Sequence, residues 1–343
     1  MARRLIIGLC LLLLLAAAGA AAGGYWLVRW LDAPGPGVEA TVVEVPTGAS
    51  LARVSAVLAE RGVIDHPRLL QWYGRLSGQA ARLRAGEYEI PAGATPRSVL
   101  DQLVAGEVVL HSVTFIEGWT FEEMRAAIAA HEAIGPKDAA LSGEAVMAEL
   151  GMPGSLPEGW FLPETYRFPR GTPGMQVMRM AHEAMKRTLD EAWAARAPDL
   201  PLASPYEVLI LASIVEKETG LDAERPAIAG VFARRLKRGM RLQTDPTVIY
   251  GLGKDFDGDL RRRDLERDTP YNTYTRAGLP PTPIALPGRA SVMAAAAPAD
   301  GDALFFVATG DPDGSHYFSV TLEEHNEAVR RYLRKLRERR QQR

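Results

Sequence analysis

The stretch from Ser204 to Gly220 constrains this chain most. It opens on Ser204, Pro205 and Glu207, and closes on Gly220. Ser204 can cap a first helical turn, Pro205 suits the first helical position, and Glu207 completes a capping box. Gly220 is a natural left-handed stop. Between these signals run Val208, Leu209, Ile210, Leu211, Ala212, Ile214 and Val215, apolar nearly all round. A helix of that kind must be buried inside a larger domain.

Two acids end the run, Glu216 and Glu218. Positions two apart on a helix differ by roughly 200° around its axis, so the two carboxyls meet different surroundings. Glu216 follows Ala212 and Ser213 and continues the apolar surface; Glu218 faces the other way, beside Lys217 and the helix exit. A carboxyl against apolar neighbours resists ionisation, the property of a general acid near neutral pH. Glu216 is therefore the candidate acid and Glu218 the runner-up. The plainer alternative leaves both solvated at a helix end.

The N-terminus sets the compartment. Arg3 and Arg4 precede an uncharged run from Leu5 to Val28, about the length that crosses a bilayer core as a helix. Tyr25, Trp26 and Trp30 fall where an interfacial aromatic belt would lie, and the arginines favour a cytoplasmic N-terminus. A cleaved signal is the rival, with Ala16 to Ala22 as its small-residue site. Either reading exports the remainder. The one cysteine, Cys10, sits in this run, so neither a disulfide within the chain nor a cysteine metal cluster is expected. A net charge of −2 makes no electrostatic case for nucleic acid.

Asp32 to Val38 reads as a Pro/Gly linker. A weak repeat follows. Glu44 to Ser50 leads into a helix with Val54, Val57 and Leu58; Glu89 to Thr95 leads into Val99, Leu100 and Leu103; Thr114 to Thr120 leads into Met124, Ala127 and Ile128. Each unit is a short strand, a glycine turn with a hydroxyl cap, and a helix. Such β-α units are similar to the glycan-binding LysM module; a purely structural spacer is the alternative.

Beyond Phe115 a larger domain is expected. Pro157 to Tyr166 is rich in aromatics and prolines, with Glu164 among them, and suits either sugar binding or core. Met175 to Ala195 and Arg225 to Gly239 read as helices. Leu242 to Gly251, Tyr271 to Tyr274 and Gly278 to Ile284 read as ordered polar loops. Ala303 to Val320 reads as a hairpin, and Glu323 to Arg343 as a closing helix with a basic tail. His316 and His325 are taken as structural or hydrogen-bonding. The expected class is α+β: anchor 1–31, linker 32–38, LysM-like subdomain 39–112, mixed α+β catalytic domain 113–335 and tail 336–343. The sequence carries no Walker loop, dinucleotide fingerprint, His-Glu-x-x-His or Gly-x-Ser-x-Gly motif.

Ala212 to Thr219, Arg241 to Tyr250, Tyr271 to Tyr274, Gly278 to Ile284 and Glu158 to Tyr166 together resemble the YceG-like family of endolytic murein transglycosylases. The likeness runs from the anchor to Asn326. The hairpin turn Asp311 to Gly314 departs from the glycine-rich turn of the family. The resemblance implies an inner-membrane protein that cuts peptidoglycan strands from the periplasmic side, without cofactor or metal, alongside peptidoglycan synthases. It implies Glu216 as acid/base in a lytic cleavage that leaves 1,6-anhydro ends. Gln243, Thr244, Asp245, Asn272, Tyr274 and Glu164 are the expected sugar-holding or orienting residues. A hydrolase pairing Glu216 with Asp245 or Glu164, and a non-enzymatic glycan-binding scaffold, are the rival functions.

Overall fold

Hydroxyl caps and apolar spacing set the elements of the N-terminal part. The computed structural model describes residues 2–135 and 142–341. Of the expected features, the side chains of Arg3, Arg4 and Arg340 and the last two residues of the basic tail lie outside the described residues. The chain divides into two units, residues 1–111 with 168–171, and residues 112–167 with 172–343.

In the first unit, α1 (Ala2–Asp32) is followed by β1 (Thr41–Val45), α2 (Leu51–Glu60), α3 (Pro67–Leu76), β2 (Gly86–Ile90) and α4 (Pro96–Ala105). Ser50 and Thr95 cap α2 and α4 as their positions require, accepting from Arg53 N–H (3.4 Å) and Ser98 N–H (3.1 Å). The two strands pair antiparallel, Thr41 opposite Ile90 and Val45 opposite Gly86. The repeat reading did not anticipate α3. Its Gly74 leaves room for the Leu51 and Leu100 side chains, which lets the α3 backbone come close to the core. Nor is the expected linker loose: Gly35 N–H donates to Ala94 O (3.2 Å), and Gly93 N–H donates to Gly37 O (2.8 Å). Residues Ile6–Asp32 of α1 are long and apolar enough to cross a membrane, and Leu11 to Leu15, Tyr25 and Trp26 are exposed.

β3 (Leu110–Thr114) leads into the second unit. There follow α5 (Phe121–Ala130), β4 (Ile134–Gly135), α6 (Gly143–Glu149), β5 (Thr165–Pro169), β6 (Thr172–Pro173), α7 (Gly174–Ala194), α8 (Pro205–Glu218), α9 (Arg225–Lys237), α10 (Asp245–Leu252), α11 (Arg262–Glu266), α12 (Arg289–Ala296), the hairpin β7 (Phe305–Ala308) and β8 (His316–Ser319), and α13 (Leu322–Gln341). The class is mixed α+β.

α8 is the axis of this unit, and every residue from Val208 to Val215 is buried. Met185, Leu189 and Ala192 of α7, Ile228, Ala229 and Phe232 of α9, and Val292, Ala294 and Ala295 of α12 close round it. The larger of these side chains, Met185, Leu189, Ile228, Phe232 and Val292, each contribute about 1.5–3 kcal/mol by leaving water. Ser204 accepts from Glu207 N–H (3.3 Å), but the Glu207 carboxylate reaches past the cap to Ala203 N–H (2.6 Å). Gly220 does not stop the helix in a left-handed conformation. Thr219 ends it in an extended one (φ −146°, ψ 139°), and its hydroxyl accepts from Leu221 N–H (3.0 Å) to turn the chain. The expected polar loop after Leu242 also forms a helix, α10. Pro246 fits its first turn, and Thr247 and Val248 are buried.

Candidate active site

The last turn of α8 sends its two acids to opposite sides, as helical geometry requires. The sides are those expected, with Glu216 inward, but the surroundings are not. Glu216 does not continue an apolar surface. Its carboxylate lies 3.2 Å from Nη2 of Arg225 and accepts from Gly288 N–H at 2.9 Å. Both side chains are buried, 5% exposed for Glu216 and 3% for Arg225. The guanidinium also donates to Ser291 Oγ (2.9 Å), pairs with Asp222, and lies 3.5 Å from Glu117. Burial, and then the neighbouring Glu216, raises the pKa of Glu117. Glu216 thus belongs to an ion cluster tying α8 to α9 and to the start of α12.

Glu218 lies on the other side of the helix. It lines a cavity of about 490 Å³ whose wall includes Arg235, Gln243, Thr244, Asp245, Tyr274, Phe305, His316 and His325. Glu216 is not among the lining residues. Burial raises the Glu218 pKa. A hydrogen bond from the Thr244 hydroxyl opposes the shift, as do His316 and Arg235, while Asp245 adds to it. A half-buried carboxyl that lines a cavity, with its protonated form favoured, is equipped to give a proton and take one back.

Two of the three stretches that the sequence marked as polar, Leu242 to Gly251 and Tyr271 to Tyr274, contribute to the cavity wall, beside α8, α9, the β7–β8 hairpin and α13; no residue of Gly278 to Ile284 lines it. Gln243 sits at φ +51°, the one non-glycine residue in the left-handed region among the described residues. Such strain costs about 1–3 kcal/mol and persists where its surroundings hold it. Here Gln243 N–H donates to Thr273 O (3.2 Å) and Thr244 N–H to Thr273 Oγ1 (3.1 Å). Thr247 Oγ1 donates to Thr244 O (2.7 Å), so the buried threonines form one knot beneath the site. Tyr274 Oη donates to Asp245 Oδ1 (2.6 Å), and burial together with that carboxylate pushes the phenol pKa up.

Two expected site residues are elsewhere. Asn272 is fully buried; its amide donates to the carbonyls of Asp264 (3.3 Å), Leu265 (2.9 Å) and Arg267 (2.7 Å), and its oxygen accepts from Tyr274 N–H (2.8 Å). All its polar capacity is spent on backbone, so it shapes the loop that carries Tyr274. Glu164 is exposed and absent from the cavity lining; its carbonyl accepts from Phe115 N–H (3.0 Å). Of the nearby aromatics, Phe161 and Tyr166 are core, whereas Trp160 is half-buried.

Sequence reasoning missed Arg235, His316 and His325 as cavity residues. Arg235 is buried; it donates through Nε to Leu304 O (2.7 Å) and through Nη1 to Leu242 O (2.7 Å), with its guanidinium over the Phe305 ring. His316 Nδ1 lies 2.7 Å from Glu224, and His325 stacks on Phe305 with ring centroids 5.3 Å apart. Nothing local distinguishes Arg235 from Arg234, Lys237 and Arg238 at the end of α9, and only the packing beside β7 singles it out. Glu158 was also passed over. It accepts from Phe121 N–H (2.9 Å) and Tyr250 Oη (3.1 Å), and burial pushes its pKa up to about 7.

The second unit is mixed α+β and sets in a cavity wall a carboxyl whose protonated form is favoured, an arrangement able to give and take a proton. Residues 43–331 match the YceG-like family, and the chain belongs to it. It is 32% identical over 308 residues to a Bacillus subtilis (strain 168) protein named endolytic murein transglycosylase, covering 85% of this chain and 84% of that one. It is 26% identical over 326 residues to a protein of the same name from Streptococcus pneumoniae serotype 2, and spans 58% of that longer chain. The crystal structure of a YceG-like protein from Listeria monocytogenes superposes with a TM-score of 0.54 at 31% identity, covering 84% of this chain and 98% of that one.

Proposed function

We propose that this protein is a peptidoglycan lytic transglycosylase that cuts within glycan strands, with Glu218 as its acid/base. The observation that carries the reading is the Glu218 carboxyl, half-buried and with its pKa raised, in the wall of the cavity shared with Gln243, Thr244, Asp245 and Tyr274. The names of the relatives supply the substrate class.

In the proposed reaction, protonated Glu218 donates to the oxygen linking N-acetylmuramic acid to N-acetylglucosamine. The bond from C1 to that oxygen breaks, and the substrate's acetamido group assists the oxocarbenium-like centre. Glu218, now a carboxylate, accepts the proton of the muramic 6-hydroxyl as its oxygen closes on C1. One C–O bond is exchanged for another, the proton returns to Glu218, and no water is consumed. Because the attacking hydroxyl belongs to the same sugar, proximity supplies much of the rate. Thr244 and Tyr274 orient the acid and the neighbouring Asp245. Asp245 in the same wall also supports a second reading, a hydrolase in which it activates water.

The apolar helix α1 supports a single-pass inner-membrane anchor with the N-terminus cytoplasmic and the cavity periplasmic, where synthases extend the strands. The strand–helix–helix–strand order of the first unit supports a LysM-like glycan-holding part. Mass spectrometry of uncrosslinked strands incubated with the full chain in detergent tests the chemistry. Anhydro-muramic ends are expected from the wild type and from Glu216→Gln per folded molecule, and none from a folded Glu218→Gln. Reducing ends would shift the reading to the hydrolase. Undiminished cleavage by Glu218→Gln would remove Glu218 from the chemistry.

A further inference from the structure

A second cavity in the same unit, of about 350 Å³, is lined by Gly154, Ser155, Leu156, Trp160, Tyr206, Pro281 and Thr282. The Trp160 and Tyr206 rings stack in it, 5.6 Å apart and 13° from parallel, both half-buried. Leu156, 58% exposed, stands at its rim.

The aromatic pair is held rigidly. Trp160 O lies 3.1 Å from His182 Nδ1, and Glu158, two residues earlier, is anchored by Phe121 N–H and Tyr250 Oη. Tyr250 packs edge-on against Tyr271, whose hydroxyl lies 2.9 Å from Thr282 Oγ1. One buried network therefore sets both the Trp160 side and the Thr282 side of the cavity.

We infer that this cavity is a remote subsite for a neutral N-acetylated sugar ring of the same strand, an inference that rests on the proposed function. Fixed ring faces offer stacking surface for the C–H face of a pyranose or an acetamido methyl, and Ser155 and Tyr206 offer hydroxyls. None of the lining residues is charged, so an anionic group would meet no counter-charge there, while a neutral sugar needs none. The position gives the subsite its purpose. Tyr206 lies in the first turn of α8 and Glu218 in the last; twelve residues at about 1.5 Å each set them roughly 18 Å apart along the axis. A strand reaching both places has several sugars between them, so long strands gain a contact that short fragments cannot make.

Steady-state cleavage by the full chain in detergent, on long uncrosslinked strands and on a muropeptide-free tetrasaccharide, tests this. Ser155→Trp fills the cavity from its rim, and Tyr206→Ala removes one ring. Both variants should raise KM for long strands about tenfold, the scale of one aromatic stacking contact, with kcat and tetrasaccharide turnover unchanged. Unchanged KM for long strands in both variants would overturn the subsite while leaving the proposed activity standing. Equal losses on both substrates would also overturn it, by making the pair part of the fold alone. Binding of a β-1,4-linked N-acetylglucosamine oligomer, followed by calorimetry, reads the subsite even if the wild type cleaves nothing. Heat in Ser155→Trp reduced below that of wild type and Glu218→Gln is the expected result, and equal heats in all three would refute it.

Discussion

Thr244→Val probes the acid directly. The Thr244 hydroxyl donates to the Glu218 carboxylate and so favours its charged form, against the burial that disfavours it. If Glu218 must be protonated to cleave, activity is present below its pKa and lost as pH rises through it. Removing the donor raises that pKa further, so the alkaline limb of kcat/KM must move to higher pH. A hydrogen bond to a charged group contributes about 1.5–3 kcal/mol. One pH unit corresponds to about 1.4 kcal/mol, so the limb should move up by about one to two pH units. Valine keeps the shape of threonine, and the backbone bonds of residue 244 to Thr273 Oγ1 (3.1 Å) and Thr247 Oγ1 (2.7 Å) survive. The pH profile of kcat/KM on uncrosslinked strands is the measurement, because it reports the free enzyme's groups. Glu216→Gln, on the far side of the helix, should leave the limb in place. A limb that stays put or moves down in Thr244→Val would refute the assignment of Glu218.

Other predictions concern stability. Arg225→Ala strands Glu216 in a buried site and should lower unfolding free energy by about 3–5 kcal/mol in urea titration; a loss under 1 kcal/mol would contradict the ion cluster. Glu158, its pKa raised from 4.5 to about 7, binds its proton more tightly folded than unfolded, so stability should fall by about 3 kcal/mol as pH rises from about 4.5 to above 7. Glu158→Gln should flatten that part of the profile, and an unchanged slope in thermal melts would count against the shift. Asn272→Ala removes the two amide donors to backbone carbonyls and the acceptor for Tyr274 N–H, and should cost roughly 3 kcal/mol at about 1 kcal/mol each, with KM for strands unchanged. A raised KM at full stability would return Asn272 to the sugar-binding surface.

What the sequence determined by itself is what local spacing controls. The caps Ser50, Thr95 and Ser204 are where the hydroxyls precede apolar periodicity, and the hairpin strands flank their turn. The burial of α8 was legible because no face of it is polar between Val208 and Val215. That Glu216 and Glu218 must part company was legible too, since the helical period alone sets their angle. Which of them would meet a cavity was not. Glu216 faces inward, but its partners Arg225 and Gly288 stand 9 and 72 residues further along, and only their packing turns an apolar-looking position into an ion pair. Likewise, a polar motif does not say whether its groups face a ligand or the chain. Asn272 spends its hydrogen bonds on the backbone, whereas Asp245 and Tyr274 line the cavity, a distinction made by α10 and the Tyr271–Tyr274 turn packing together. Local periodicity fixes angles within an element; the surroundings at each angle belong to contacts distant in the chain, and those exist only once the fold has closed.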